Sequence, residues 1–310
     1  MTKKDLSIVI PVLNSALTLE SVVQELEGYL RGTDLKFKIV LVNDCSIDSS
    51  WEVIKKLVSK YGNCAGVNLL LRQGQHRAVL AGLNHIEGEY VVVMDDDGQN
   101  PPSEIVKLYK AAKEGNDLVF GNYVDYKQNF FRRLASSLMK VFVRFIFSSP
   151  RDVSVSNFKI IHHRVVRLIC KFAKSSPYIN GEALLYASKP KSILVDHRAS
   201  VLGKSRYSLR NLLSLFKNVL FTYSLRPLRL LTLITFCVSI TGMLGSLIVL
   251  ALQHSNDAKI QGWTSLVLTV TFLSTLTILS IGLISEYIIR ALESHSNHSV
   301  LDFIEDSSIR

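Results

Sequence analysis

Four cysteines in 310 residues, Cys45, Cys64, Cys170 and Cys237, are scattered with no CxxC pair and no Cys/His cluster at metal spacing, which argues against a disulfide framework and a zinc site. No GxGxxG follows the first strand-like run and no GxxxxGK[ST] occurs anywhere. The phosphate-cradling loops of dinucleotide oxidoreductases and P-loop enzymes are therefore missing. Glycine and proline are few, at 16 and 7 residues, and no fixed period repeats, which excludes fibrous and solenoid architectures. The opening MTKKDLSIVIPVLN has basic residues and a short apolar run, but Pro11 and Asn14 interrupt it and no small-residue cleavage site follows. It reads as a first strand rather than a signal peptide.

In excess are apolar residues and positive charge: 48% hydrophobic content, mean hydropathy +0.24 and a formal net charge of +10. So apolar a chain is not disordered and can bury a sizeable core. Both excesses are local. Residues 126–230 carry 20 Lys and Arg against three acids (Asp152, Glu182, Asp196), a net +17, which leaves the remainder at −7.

Residues 230–252 and 263–285 are two stretches of 23 residues without a formal charge. Each is long enough, at about 1.5 Å per residue, to cross a hydrocarbon core of about 30 Å. Two transmembrane helices are predicted; the alternative, a buried helical hairpin, fits less well because both stretches are uncharged all round. Lys217, Arg226 and Arg229 precede the first stretch and Arg290 follows the second, whereas the connecting QHSNDAKIQG is balanced. This asymmetry predicts a multi-pass protein of the cytoplasmic (inner) membrane with both termini, and the region before the first stretch, in the cytoplasm. Segments 130–147 and 207–221 place apolar residues at helical spacing with Arg133, Lys140, Arg144, Arg210 and Lys217 on other sides. They suit helices lying against anionic headgroups, or ordinary amphipathic helices packed on the core.

Over the first 125 residues apolar runs alternate with helical patterns, from LSIVIPV and TLESVVQELEGYL through YVVVMD and PSEIVKLYKAAKEG to DLVFGNY. Four βα units and a further strand predict an α/β fold with a parallel-rich central sheet covered on both faces, its ligands bound beyond the carboxyl ends of the strands. The polar residues at those ends are Asn14, then Asn43 and Asp44, then Arg72, then Asp95, Asp96 and Asp97. Three consecutive carboxylates repel one another, which makes sense where a divalent cation bridges them to phosphate; capping of the next helix by one and solvation of the others is the plainer alternative. Gln99 adds a neutral oxygen, and Asn100-Pro101-Pro102 makes a sharp stop before the next helix.

SIVIPVLN, VNDCSIDSS, LLRQGQHRAVLAGL and VVVMDDDGQNPPSEI, taken in order, resemble the motifs of family 2 glycosyltransferases, specifically the polyprenyl-phosphate glycosyltransferases related to dolichyl-phosphate mannose synthase and the bacterial phage-type glucosyl carriers. GKSRY at 203–207 is similar to that group's Gly-x-Ser-Lys-Tyr block, and IGLISEYIIRALE to its second membrane helix. The resemblance implies a glycosyltransferase A-type domain binding a nucleotide-sugar, with residues 1–125 forming the donor part and 126–227 the acceptor part. A membrane hairpin at 228–290 and a cytoplasmic tail at 291–310 would follow. Pro11, Asn14, Asp44, Ser46, Arg72, Asp95 and Asp96 would line the nucleotide. Asp97 and Gln99, with Asp95, would hold Mg²⁺ or Mn²⁺ against the diphosphate, and Asp95 and Asp97 would carry catalysis.

The implied acceptor is a polyprenyl phosphate such as undecaprenyl phosphate, gripped by Lys204, Ser205 and Arg206, with Arg132 or Arg133 supplying a cation missing elsewhere. The implied donor is UDP-linked, the assembly a homo-oligomer, tetrameric by resemblance, and nucleic acid is not an expected partner. One departure stands out. Where the relatives carry Asp-x-Gly-Asp-Phe-Arg this chain has Ser154-Val155-Ser156-Asn157-Phe158-Lys159, with no acid at either position and Asp152 the nearest substitute. A hydroxyl acceptor needs a base, whereas a phosphate monoester with its second pKa near 6 is already an anionic nucleophile. A phosphate acceptor is thereby favoured over the hydroxyl of a lipid-linked saccharide or glycerolipid; a catalytically degenerate membrane scaffold is the third possibility.

Overall fold

The β-branched runs form strands and the amphipathic runs between them form helices, in the order β1 (Lys4–Val12), α1 (Leu19–Leu30), β2 (Phe37–Asn43), α2 (Ser50–Lys60), β3 (Cys64–Leu69), α3 (Gln75–Leu83), β4 (Gly88–Val93), α4 (Pro102–Lys113) and β5 (Leu118–Asn122). These are the four predicted βα units and the extra strand. They are followed by β6 (Lys159–His162), α5 (His163–Lys171), α6 (Ile179–Tyr186), β7 (Pro190–Leu194) and β8 (Ile304–Ser308). The computed structural model describes residues 4–123, 152–174, 177–198 and 303–308, with isolated positions within 144–150 and 223–291.

The strands form one sheet in the order β7-β5-β6-β4-β1-β2-β3-β8. β1 pairs in parallel with both β2 and β4, and β2 with β3, as four right-handed βα units require. The remainder departs from the parallel expectation. β6 lies antiparallel between β4 and β5, β7 runs parallel to β5, and β8 closes the β3 edge in antiparallel register. The sheet is thus mixed: β5, the fifth strand in sequence, never neighbours β4.

Leu6, Ile8, Ile10 and Val12 of β1 alternate onto one face, where they meet Leu19, Val23 and Leu26 of α1, Ile54 of α2, and Ile105 and Leu108 of α4. Full burial of each such side chain contributes about 1.5–3 kcal/mol. On the opposite face α3 packs close, because residue 82 has no side chain: a Cβ there would stand 2.5 Å from Val9 Cγ1 and 2.9 Å from Val42 Cγ2. Several buried polar groups are answered within the sheet. Ser7 Oγ accepts the N–H groups of Glu87 and Gly88 at 3.1 and 2.9 Å, and Lys38, buried in β2, is paired with Glu87. Asp117 accepts the N–H groups of Ser188 and Lys189, each at 2.8 Å, fixing the turn into β7.

The chain divides into two units, Met1–Ser208 with Asn297–Arg310, and Leu209–Ser296. In the second unit the described positions are helical, and Leu233, Ile234, Leu266, Phe272 and Ile281 among them are exposed. Among the described residues no helix is long and apolar enough to cross a membrane. The predicted spans are described only at isolated positions; segment 207–221 and all but three positions of 130–147 lie outside the described residues, as do Arg132, Arg133, Lys204, Ser205 and Arg206.

Candidate active site at the carboxyl ends of β1, β2 and β4

β2 and β3 lie on one side of β1 and β4 on the other, so the order of the sheet reverses at β1. In open α/β sheets the ligand crevice lies beyond the carboxyl ends of the strands at such a reversal. The loop after β1 is clasped to the loop after β2. Asn14, in the left-handed region at φ 53°, donates its N–H to Ser46 Oγ at 3.0 Å and accepts the Ile47 N–H on Oδ1 at 2.9 Å. Asparagine tolerates that conformation better than most residues. Asp48 extends the clasp by accepting the Ala16 N–H at 3.1 Å and the Ser50 N–H at 3.0 Å.

Asp44 is nearly fully buried at the end of β2 and ties it to the loop after β3, its two oxygens accepting the N–H groups of Gln73 and Gly74 at 2.6 and 2.9 Å. Burial pushes its carboxyl up, the two backbone donors and Arg72 opposing. Gly74, at φ 86°, permits the turn that aims both N–H groups at one carboxylate. Pro11 is buried within β1, and Arg72 is exposed.

The three consecutive acids after β4 divide. Asp96 turns into the protein, where its Oδ2 accepts the Leu13 N–H at 3.2 Å and the Ser15 hydroxyl at 2.5 Å. Asp96, one of the residues expected to line the nucleotide, thereby fastens the loop after β1 to the loop after β4. Asp97 Oδ1 accepts the Gln99 N–H at 3.1 Å across Gly98, whose φ of 72° closes the turn. Gln99 is bound to the segment after β7, its carbonyl accepting the Arg198 N–H at 2.9 Å. Asp95 accepts from Gln75 Nε2 at 2.6 Å and from the Asn157 side chain. Burial, then the charges of Asp97 and Asp96, push its carboxyl up to about 6, with Asn157 and Lys159 opposing.

Lys159 enters from β6, fully buried, and burial brings its ammonium down to about 7 while Asp95 pulls the other way. Its Nζ donates to the Asn157 carbonyl at 3.2 Å. His76 at the start of α3 stands edge-on to Tyr178, ring centroids 5.1 Å apart, and is brought down to about 4 by burial and then by Lys159. Tyr123 donates to Asn100 Oδ1 at 2.7 Å, and burial together with Asp95 and Asp97 pushes its phenol up.

The structure therefore brings Asp95 and Asp97 together with Gln75, Asn157, Lys159 and Tyr123. Of the four partners the sequence singled out Asn157, as the place of a missing acid, with Lys159 only the end of the same stretch. A lysine opening the apolar run KIIH was the signal for a buried cation. Asp152 is exposed, and no hydrogen bond among the described residues connects it to the Asp95 group. Ser154 is fastened to β7, its N–H donating to Ser192 Oγ at 2.9 Å.

Burial and then the charges of Asp97 and Asp96 raise Asp95, a like-charge repulsion that a cation relieves, and these carboxylates offer hard oxygen ligands. Among the described residues no three His, Cys, Asp or Glu side chains form a ready-made cage. The residues fit a hard divalent ion that takes one or two carboxylates and completes its shell with phosphate oxygens and water.

An α/β sheet with its order reversed at β1 and acids at that crevice defines a nucleotide-binding fold of the glycosyltransferase A type. Residues 7–169 match the model of glycosyl transferase family 2, and the chain belongs to that family. It is 28% identical over 289 residues to the undecaprenyl-phosphate 4-deoxy-4-formamido-L-arabinose transferase of Serratia proteamaculans, covering 92% of this chain and 88% of that protein. With the protein of the same name from Pseudomonas syringae the identity is 30% over 292 residues, at 92% and 86% coverage. Among solved structures, glucosyl-3-phosphoglycerate synthase from Mycobacterium tuberculosis, crystallised with Mn²⁺, UDP and glucosyl-3-phosphoglycerate, superposes with a TM-score of 0.52 at 18% identity, covering 70% of this chain and 78% of that one. At that identity the likeness concerns the fold.

Proposed function

We propose that this protein transfers a sugar, with inversion, from a UDP-linked donor to undecaprenyl phosphate at the cytoplasmic face of a membrane. The observation that carries the reading is the Asp95–Asp97 pair at the β1/β4 crevice, in a family 2 chain similar over most of its length to transferases of that name. The clasp of Asn14 and Ser46, with Asp44, Arg72 and Pro11 nearby, takes the base and ribose. Asp95, Asp97 and Gln99 face the diphosphate and hold Mg²⁺ or Mn²⁺. Such an ion neutralises charge on the departing nucleoside diphosphate.

In the reaction an acceptor phosphate oxygen forms the new bond to the anomeric carbon as the bond from that carbon to the donor diphosphate breaks, its electron pair leaving with the nucleoside diphosphate. Asn157 suits this acceptor. An amide cannot take a proton from a hydroxyl, and a phosphate does not ask it to. Lys204, Ser205 and Arg206, with Arg132 or Arg133, grip the acceptor phosphate, and Asp152 stays outside the chemistry. Residues 230–252 and 263–285 cross the membrane; lipid or a further copy in a homo-oligomer then covers the apolar residues exposed at the described positions there.

The test is purified protein in detergent with undecaprenyl phosphate, MnCl₂ and a panel of sugar nucleotides, the lipid product read by mass. A lipid-phosphate sugar from at least one UDP donor is expected. Product on a lipid-linked saccharide hydroxyl, or none with any donor, removes the reading.

A further inference from the structure

We propose that the C-terminal strand β8 positions the nucleotide end of the site, acting through Glu305. The inference rests on the donor-binding reading above and extends it to a segment that follows residues 230–285 in the chain. Three side chains and one backbone N–H form one directed line. Asn68 Nδ2 donates to Glu305 Oε2 at 2.7 Å, Asn43 Nδ2 donates to Asn68 Oδ1 at 2.6 Å, and the Ser46 N–H donates to Asn43 Oδ1 at 3.3 Å.

The direction of that line is set at its far end. An ionised carboxylate only accepts, so it holds Asn68 with its NH₂ toward Glu305 and its oxygen toward Asn43. Asn43 must then donate to Asn68, which leaves its own oxygen for Ser46. Asn43 and Asn68 are both buried, at 3% and 8% exposure, so water does not readily replace a lost partner. If Asn68 turned over, Asn43 would have to follow, and its NH₂ would face the Ser46 N–H, donor against donor. Ser46 is the residue that clasps Asn14, so the orientation chosen by Glu305 reaches the crevice through two intervening amides.

A second attachment is independent of side chains. The Leu70 N–H donates to the Phe303 carbonyl at 2.8 Å, at the root of the loop whose Gln73 and Gly74 hold Asp44. β8 thus reaches both loops that frame the nucleotide end, and removing its carboxylate loosens one while leaving the backbone pairing in place.

The experiment is calorimetric titration of UDP and of GDP, with MnCl₂, into the full-length protein in detergent, alongside steady-state turnover. Glu305→Ala is expected to weaken nucleotide binding about threefold to tenfold, the worth of one partly exposed hydrogen bond and the order it imposes. Its donor KM rises by the same factor while kcat stays within twofold. Glu305→Gln, which keeps an acceptor oxygen, restores most of the affinity, and Glu305→Lys, which offers only donors, weakens binding at least as much as alanine. Unchanged affinity in both the alanine and lysine variants, with only a lower melting temperature, overturns the positioning role. Wild-type protein that binds neither nucleotide removes the donor reading, and the inference with it.

Discussion

The Asn157 side chain hydrogen-bonds the Asp95 carboxylate, and its own Oδ1 accepts from Asn180 Nδ2 at 3.3 Å. The amide of Asn157 is thereby oriented with its NH₂ toward Asp95. A neutral donor lies against a carboxylate already crowded by two acids. Asn157→Ala removes a partner from both Asp95 and Asn180, and leaving such groups unanswered costs about 1–3 kcal/mol. A urea midpoint lowered accordingly, with an unchanged slope, is the expected outcome.

Asp97→Ala is expected to lower kcat about 10²-fold or more while thermal unfolding stays close to wild type, because its hydrogen bond to the Gln99 N–H is local to the turn. Chelation by EDTA should give the same loss in the wild-type enzyme, and MnCl₂ or MgCl₂ should reverse it. Near-wild-type turnover in the variant would remove the cation from the reading of this site.

The β1–β5 succession was legible in sequence because each βα unit carries its own signals: a β-branched run, a turn, then apolar residues at helical spacing. What lay beyond it was not. KIIH is a four-residue strand that begins with lysine, and IEDSS has no apolar alternation; both owe their place to the sheet edges they pair with rather than to local preference. The three acids were legible as a group, but the division of labour among them was not. Asp96 serves the loop after β1 because Leu13 and Ser15 are brought to it by the fold, a relationship spanning some eighty residues that no local pattern encodes.

Gly82 carries a prediction about the scaffold under the crevice. A Cβ at this position meets Val9 and Val42, stiff β-branched side chains on strands that cannot recede. Gly82→Ala gains about 1 kcal/mol of helix propensity but loses about 1–3 kcal/mol to overpacking. Net destabilisation in urea is expected; a stabilised variant would mean that α3 is free to shift away from the sheet.

Lys38 and Glu87 supply a pH-dependent prediction. Lys38 is 2% exposed, and its hydrogen bond, reinforced by its charge and that of Lys4, holds the Glu87 carboxyl below the usual range. A carboxyl lowered on folding contributes stability that is complete above its unfolded value of about 4.3 and is lost as the pH falls through the lowered one. Glu87→Gln leaves a buried ammonium without its counter-ion. Because Glu87 is itself half-exposed, the cost at pH 7 should be about 2 kcal/mol rather than the 3–5 kcal/mol typical of breaking a fully buried pair. In wild-type protein the same carboxylate is neutralised by acid, so the difference between the two proteins should narrow steadily from pH 5 to pH 3. Urea unfolding at four pH values over that range measures it, and a difference that stays constant or widens on acidification would show that Glu87 does not stabilise the fold through its charge on Lys38.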